Sequence, residues 1–308
     1  MFNPEIQAEA LTAVQARVDR RRFLRQAGVL SLSAVAGAAL LTPTARAEDE
    51  SAAERQQEYA QHQDTVKEIF TAALIAEDLA TTFYYNVLVG AVIQDPNLAG
   101  TGGSATKVAA DGNFGNVAYI RAALTEEIAH ANLFRSLLGI SGAHADPAQT
   151  FYFPTGTFTT LAGFTGILDA LENAFIGAYL NAIQEFAAQA ANARLRRNNG
   201  EREHDEDDDR KSYTAEQLEY FAKVAASIMG VECEHRVLGR VISNSNPANN
   251  RNYEQTDGLT AVYNGPHSAV VALTPFLTSS TGPAYSLAAA LANQGSVSEP
   301  VSGAPPAF

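Results

Sequence analysis

The stretch Leu124-Thr-Glu-Glu-Ile-Ala-His-Ala-Asn-Leu-Phe134 sets Glu127 and His130 three residues apart inside an apolar helical pattern. Residues i and i+3 of a helix share a face, so this carboxylate and this imidazole point the same way. A later stretch, Ile228-Met-Gly-Val-Glu-Cys-Glu-His-Arg-Val-Leu238, repeats the arrangement with Glu232 and His235. Each is preceded by a segment with one glutamate in its apolar stripe, Glu77 in the first and Glu172 in the second.

Four helices follow from the spacing of apolar residues. Phe70, Ala73, Glu77, Ala80, Tyr84 and Leu88 recur at steps of three and four, the mark of one buried helical face. A second stripe, Ile120, Leu124, Glu127, His130, Phe134 and Leu138, predicts a helix over about 116–138, with Gly139 as its stop. Leu168, Glu172, Phe175, Tyr179, Ala182 and Phe186 predict a third over about 163–194. The fourth, over about 214–243, carries Leu218, Phe221, Ala225, Ile228, Glu232, His235, Gly239 and Ile242. Thr214 with Gln217 three residues on reads as its capping box.

Between these lie loops. Asp95-Pro96 and Gly100-Thr-Gly-Gly-Ser104 break the chain after the first helix. Residues 140–162 lack helical period, and a connection this long in a compact domain fits a crossover along a bundle. The charged run from Arg194 to Lys211, with His204 among the acids of Glu203–Asp209, reads as a solvated loop. After residue 243 come two short apolar pieces broken by Pro275 and Pro283. This extension, 244–308, is expected to be mostly irregular and either to cover the bundle or to join subunits of a homo-oligomer.

Composition narrows the function. The chain has 308 residues, 46% of them hydrophobic, enough for one large core. Its formal net charge is −13, and residues 1–47 hold six Arg against Glu5, Glu9 and Asp19, so the remainder is more acidic still. That balance disfavours nucleic acid and anionic membrane surfaces as partners. The single Cys233 excludes an internal disulfide framework and a cysteine zinc site; it points about 100° away from the Glu232/His235 face and reads as packing.

The N-terminus reads as an address. Arg20-Arg-Arg-Phe-Leu-Arg25 resembles the twin-arginine export signal; an apolar run from Ala27 to Leu41 and Ala45-Arg-Ala47 follow it. The run is shorter than the ~20 residues that span a bilayer, so the expectation is export and cleavage after Ala47, with no stable membrane anchor.

An internal repeat ties the helices together. Setting Glu77 on Glu172 places Tyr84 on Tyr179 and Asn86 on Asn181, while Glu127 and His130 fall on Glu232 and His235. Two helix pairs related by an approximate twofold would each supply Glu and then Glu-x-x-His. Four carboxylates and two neutral imidazoles are the hard donors that a pair of Fe(II) or Mn(II) ions wants, and their four negative charges balance two dications. Tyr84 and Tyr179 read as core residues, with a redox role or support of a metal ligand as the alternative. Glu126 and Glu234 read as exposed helix glutamates, with orientation of a histidine as the alternative.

Over about residues 55–243 this pattern resembles the ferritin-like superfamily of dimetal carboxylate bundles. Within it the chain is similar to exported bacterial ferritin-like domain proteins related to plant desiccation-related proteins. The resemblance implies an all-α four-helix bundle over 48–243. It also implies Glu77 and Glu172 as terminal ligands, Glu127 and Glu232 as metal-bridging ones, and His130 and His235 as nitrogen ligands. The implied function is iron oxidation or oxygen and peroxide chemistry under oxidative or desiccation stress. The alternatives are a manganese catalase with two Mn ions, and a non-catalytic envelope protein with a structural metal or none. Long loops, the charged insertion and the C-terminal extension separate the chain from the storage ferritins and their 24-subunit cage.

Overall fold

The computed structural model describes residues 64–198, 213–245 and 272–298. The export signal at 1–47, the acidic run Glu203–Asp209 with His204, and residues 246–271 lie outside the described residues.

Thr65 opens the first helix. Its hydroxyl accepts from the Glu68 N–H at 3.2 Å, and Glu68 Oε2 accepts from the Thr65 N–H at 2.8 Å. This capping box satisfies two donors that the helix start would otherwise leave unmade. Helix α1 then runs Val66–Val89. α2 spans Phe114–Leu138, two residues earlier than its periodicity suggests, because Asn113 caps it by accepting from the Asn116 N–H. It ends where expected: Gly139 adopts φ 70°, the left-handed conformation that a residue without Cβ takes at no steric cost. α3, Leu161–Asn198, extends past the expected 163–194 at both ends, into the first part of the charged run. α4, Ala215–Ile242, begins on the Thr214/Gln217 capping box.

α1 packs chiefly on α2, and α3 on α4; thinner contacts, α1 to α3 and α2 to α4, join the two pairs. One core cluster gathers the start of α1 (Phe70), the end of α2 (Phe134), the later part of α3 (Phe186) and the start of α4 (Phe221). The other gathers the opposite ends: Phe83, Ile120, Phe164 and Ile242. Hence α1 and α4 run one way and α2 and α3 the other, and the α2–α3 connection must travel the length of the bundle. It does so with Phe151, Phe153 and Phe158 buried. This is an all-α ferritin-like bundle.

Phe70 anchors the first cluster, its ring centroid 5.7 Å from Phe134, 5.6 Å from Phe186 and 5.0 Å from Phe221. At the other end Gly239 lets α4 approach α3, where an added Cβ would meet Leu168 Cδ2 at 2.7 Å. Residues 74–84 of α1 are buried on every side, as suits a helix wrapped by neighbours.

The described part of the C-terminal extension supplies one of those neighbours. Strand β1, Thr150–Tyr152, pairs antiparallel with β2, Ala284–Ser286, and helix α5, Leu287–Asn293, packs on α1. Three-residue strands are marginal alone, so the apolar packing of Phe276 and Leu287 in the core holds this segment. Arg121 of α2 adds a clasp, donating to the carbonyls of Val297 at 2.8 Å and Ser298 at 3.0 Å. No helix among the described residues is long and apolar enough to cross a membrane.

Candidate metal centre

The six residues singled out by spacing converge midway along the bundle, between the two apolar clusters. They form two groups whose ligand atoms lie within 4.8 Å of one another: Glu77, Glu127, His130 and Glu232, and Glu127, Glu172, Glu232 and His235. Glu127 and Glu232 belong to both. Each divides its oxygens between the halves. Glu127 turns Oε2 toward His130 Nδ1 at 3.7 Å and Oε1 toward His235 Nδ1 at 3.0 Å. Glu232 turns Oε1 toward His130 Nδ1 at 3.5 Å and Oε2 toward His235 Nδ1 at 3.3 Å. The first half is closed by Glu77, whose Oε2 lies 3.2 Å from His130 Nδ1.

Donor chemistry and burial both suit metal ions. Donors about 2.1 Å from a cation stand about 3 to 4.2 Å apart around it, so small side-chain adjustments bring either group into range. Both oxygens of Glu127 and of Glu232, Oε2 of Glu172 and Nδ1 of His235 are buried without a partner in hydrogen-bond geometry. A buried polar atom left so costs ~1–3 kcal/mol, more when charged. Six such atoms facing one centre fit cations that would satisfy them together.

The same burial and crowding shift the proton equilibria of the site. Burial pushes the carboxyls of Glu77 and Glu172 well above the usual range, and the neighbouring carboxylates add to the effect. Burial would lower both histidines, but for His130 the facing Glu77, Glu127 and Glu232 outweigh it and raise the imidazole. His235 is likewise raised by Glu126, Glu127 and Glu232. Glu127, although buried, is held low by the two histidines that face its oxygens and by the adjacent Glu77. Metal binding must therefore displace protons.

The tyrosines correct the reading from sequence. Tyr84 and Tyr179 are buried, yet they are more than core residues: Tyr84 donates to Glu172 Oε1 at 2.6 Å, and Tyr179 donates to Glu77 Oε1. Each stands two turns from the glutamate of its own helix and reaches the glutamate of the other. Because α1 and α3 are antiparallel, the i+7 residue of one comes level with the ligand of the other. Burial and the adjacent carboxylates raise both phenols, which stay donors.

Glu126 is a second correction. Its side chain is 47% exposed, but Oε2 lies 2.8 Å from His235 Nε2, orienting the ring so that Nδ1 faces the centre. Glu234 is exposed, and Cys233 is half-buried outside both groups. Spacing also missed a buried ionic clamp beside the site. Arg135 donates from Nε to Asp146 at 2.8 Å and from Nη2 to Asp78, tying α1, α2 and the crossover. Only the adjacency of Asp78 to Glu77 hinted at it. On the other side Arg236 donates to Asn173 at 2.9 Å.

Residues 65–195 match the sequence model of the ferritin-like domain family, which supports placing the bundle in the ferritin-like superfamily. The match takes in Glu77, Glu127, His130 and Glu172; Glu232 and His235 on α4 lie beyond it. No curated protein and no solved structure matches the chain.

Proposed function

We propose that this is an exported dimetal carboxylate protein, its centre taking two Fe(II) or two Mn(II) ions and acting on dioxygen or hydrogen peroxide. The observation that carries the reading is the division of labour at Glu127 and Glu232, each offering one oxygen to either half. A bound pair of such ions would supply electrons to an oxidant and electrostatic stabilisation of the charge it gains.

The chain does the rest. Glu77 with His130 and Glu172 with His235 would give each ion one terminal carboxylate and one nitrogen. Tyr179 and Tyr84 fix the terminal carboxylates by donating to them. Glu126 holds His235 in register. Burial of Glu127 and Glu232 excludes bulk water, so an entering ion would give up most of its hydration shell and four fixed donors would replace it. Export through the twin-arginine pathway, and a part in oxidative or desiccation stress, extend this reading from the resemblance and the Arg20–Ala47 segment.

Metal analysis of protein recovered after export tests it, followed by anaerobic Fe(II) loading and an oxygen pulse watched in the near-ultraviolet and visible. About two ions per chain and a ferric absorption band are the expected results. Two Mn ions with rapid oxygen release from peroxide would make it a catalase. No metal, and none taken up, would leave a structural bundle. N-terminal sequencing of the same material should begin at Glu48.

A further inference from the structure

We propose that a small apolar cavity beside the Glu77/His130 half is a binding pocket for dioxygen. The proposal rests on the reading that the centre meets an oxidant. The cavity lies between α1, α3 and α4, with Phe134 of α2 and Leu273 of the C-terminal segment completing it, and is bounded by Phe70, Ala73, Ala76, Tyr179 and Ala182, among others. Its place along the bundle follows from the helices. Ala73 stands one turn before Glu77, Phe134 one turn after His130, and Ala76 adjoins Glu77 directly. The Tyr179 ring forms part of the wall while its hydroxyl donates to Glu77, so one side chain spans from cavity to ligand.

Size and chemistry select the occupant. The free space is about 50 Å³. One water needs ~10–15 Å³ of such space and benzene fills about 150 Å³, so the cavity suits a molecule of two to four heavy atoms. A lasting water needs two to four polar partners. Among the described residues the polar side chains on the wall are Tyr179, whose hydroxyl proton is committed to Glu77, and Asn181, half-buried and itself partnered. Hydrogen peroxide would lose its hydrogen bonds to water on entering, at a cost of several kcal/mol. Dioxygen has none to lose. Small side chains keep the space open: Ala73, Ala76 and Ala182 stand where larger apolar residues would fill it.

The first arm of the test uses metal-free protein under xenon, an apolar probe of similar size, followed by ¹²⁹Xe magnetic resonance. Wild type should give a saturable bound-xenon shift that Ala182→Leu abolishes. Ala73→Leu, at a half-buried position, serves the same purpose if Ala182→Leu folds poorly. The absence of bound xenon in wild type would overturn the proposal whatever the metal content. The second arm loads Fe(II) and compares oxidants. Filling the cavity should slow oxidation by dioxygen about tenfold or more and leave oxidation by peroxide within about twofold. Equal slowing of both, or of neither, would overturn it. If the chain takes up no metal, the reading of the centre fails, and the xenon arm alone decides the pocket.

Discussion

The Glu77/His130 half and the Glu172/His235 half use the same residue types at the same helical spacing, yet they are supported differently. His235 is buried and its Nε2 meets Glu126; His130 keeps 13% of its side chain exposed, and its Nδ1 is the ring nitrogen with partners among the described residues. The internal repeat places Val231 where Glu126 stands, so the asymmetry is written in the chain. Asp78 pairs with Arg135 in an ionic clamp, whereas its repeat partner Asn173 makes a neutral-to-cation bond with Arg236. Beyond Glu77 lies the apolar cluster around Phe70, with the cavity beside it; beyond Glu172 lie the crossover and the packed Phe276 and Leu287 of the C-terminal segment. A repeated Glu and Glu-x-x-His set therefore does not make two equivalent halves. The half around His235 is the more buried and is braced by Glu126, and the half around His130 is the more accessible.

The comparison breaks most completely if the shared carboxylates go. Glu127→Ala with Glu232→Ala should reduce uptake from about two ions per chain to none in elemental analysis, because both halves lose a donor at once. Single-histidine variants separate the halves. His130→Ala and His235→Ala should each leave about one ion per chain, and loss of both ions from either variant would show that the halves fill only together.

Glu126→Ala sharpens the contrast. It should weaken one of the two ions by ~10–100-fold in a chelator competition titration, while Val231→Ala shifts neither beyond about twofold. The pH dependence of the metal-free fold tests how protons hold the site. Glu77 and Glu172 have raised folded pKa values, so the stability they contribute is full below about pH 4.3 and is lost as pH rises. His130 and His235 are raised as well, and their contribution is full below about pH 6.5 and is lost above it. Glu127, held low, works the other way, its contribution being lost only in acid. Thermal unfolding without metal should therefore move to lower temperature between about pH 5 and pH 9, and saturating metal should remove or reverse that slope. Smallest are the phenol deletions. Tyr179→Phe and Tyr84→Phe should each cost the metal-free protein ~1–3 kcal/mol by leaving a buried carboxyl without its donor, read from denaturant unfolding.

The convergence of the six residues was legible because helical geometry is local. Glu127 and His130, like Glu232 and His235, need only a helix to share a face, and their phase with the apolar stripes told which face. Helix ends were legible where one residue type suffices, as at Gly139 and Thr214. They were missed where the stop is made elsewhere: α3 begins at Leu161 under the crossover and continues to Asn198 through residues that carry no apolar period. The tyrosines were misjudged because their partners lie 88 and 102 residues away. Glu126 was misjudged because its partner, His235, sits on another helix.

What the sequence by itself determined is the set of four amphipathic helices and the Glu or His that each turns inward, since periods of three and four residues translate directly into faces. What only the tertiary structure decided is which carboxylate each tyrosine serves, which histidine Glu126 orients, and on which side of the centre the cavity falls. Those depend on the antiparallel setting of α1 against α3 and on the crossover that fixes it. No local spacing encodes the register between helices; the packing of side chains such as Phe70, Phe134 and Leu168 does.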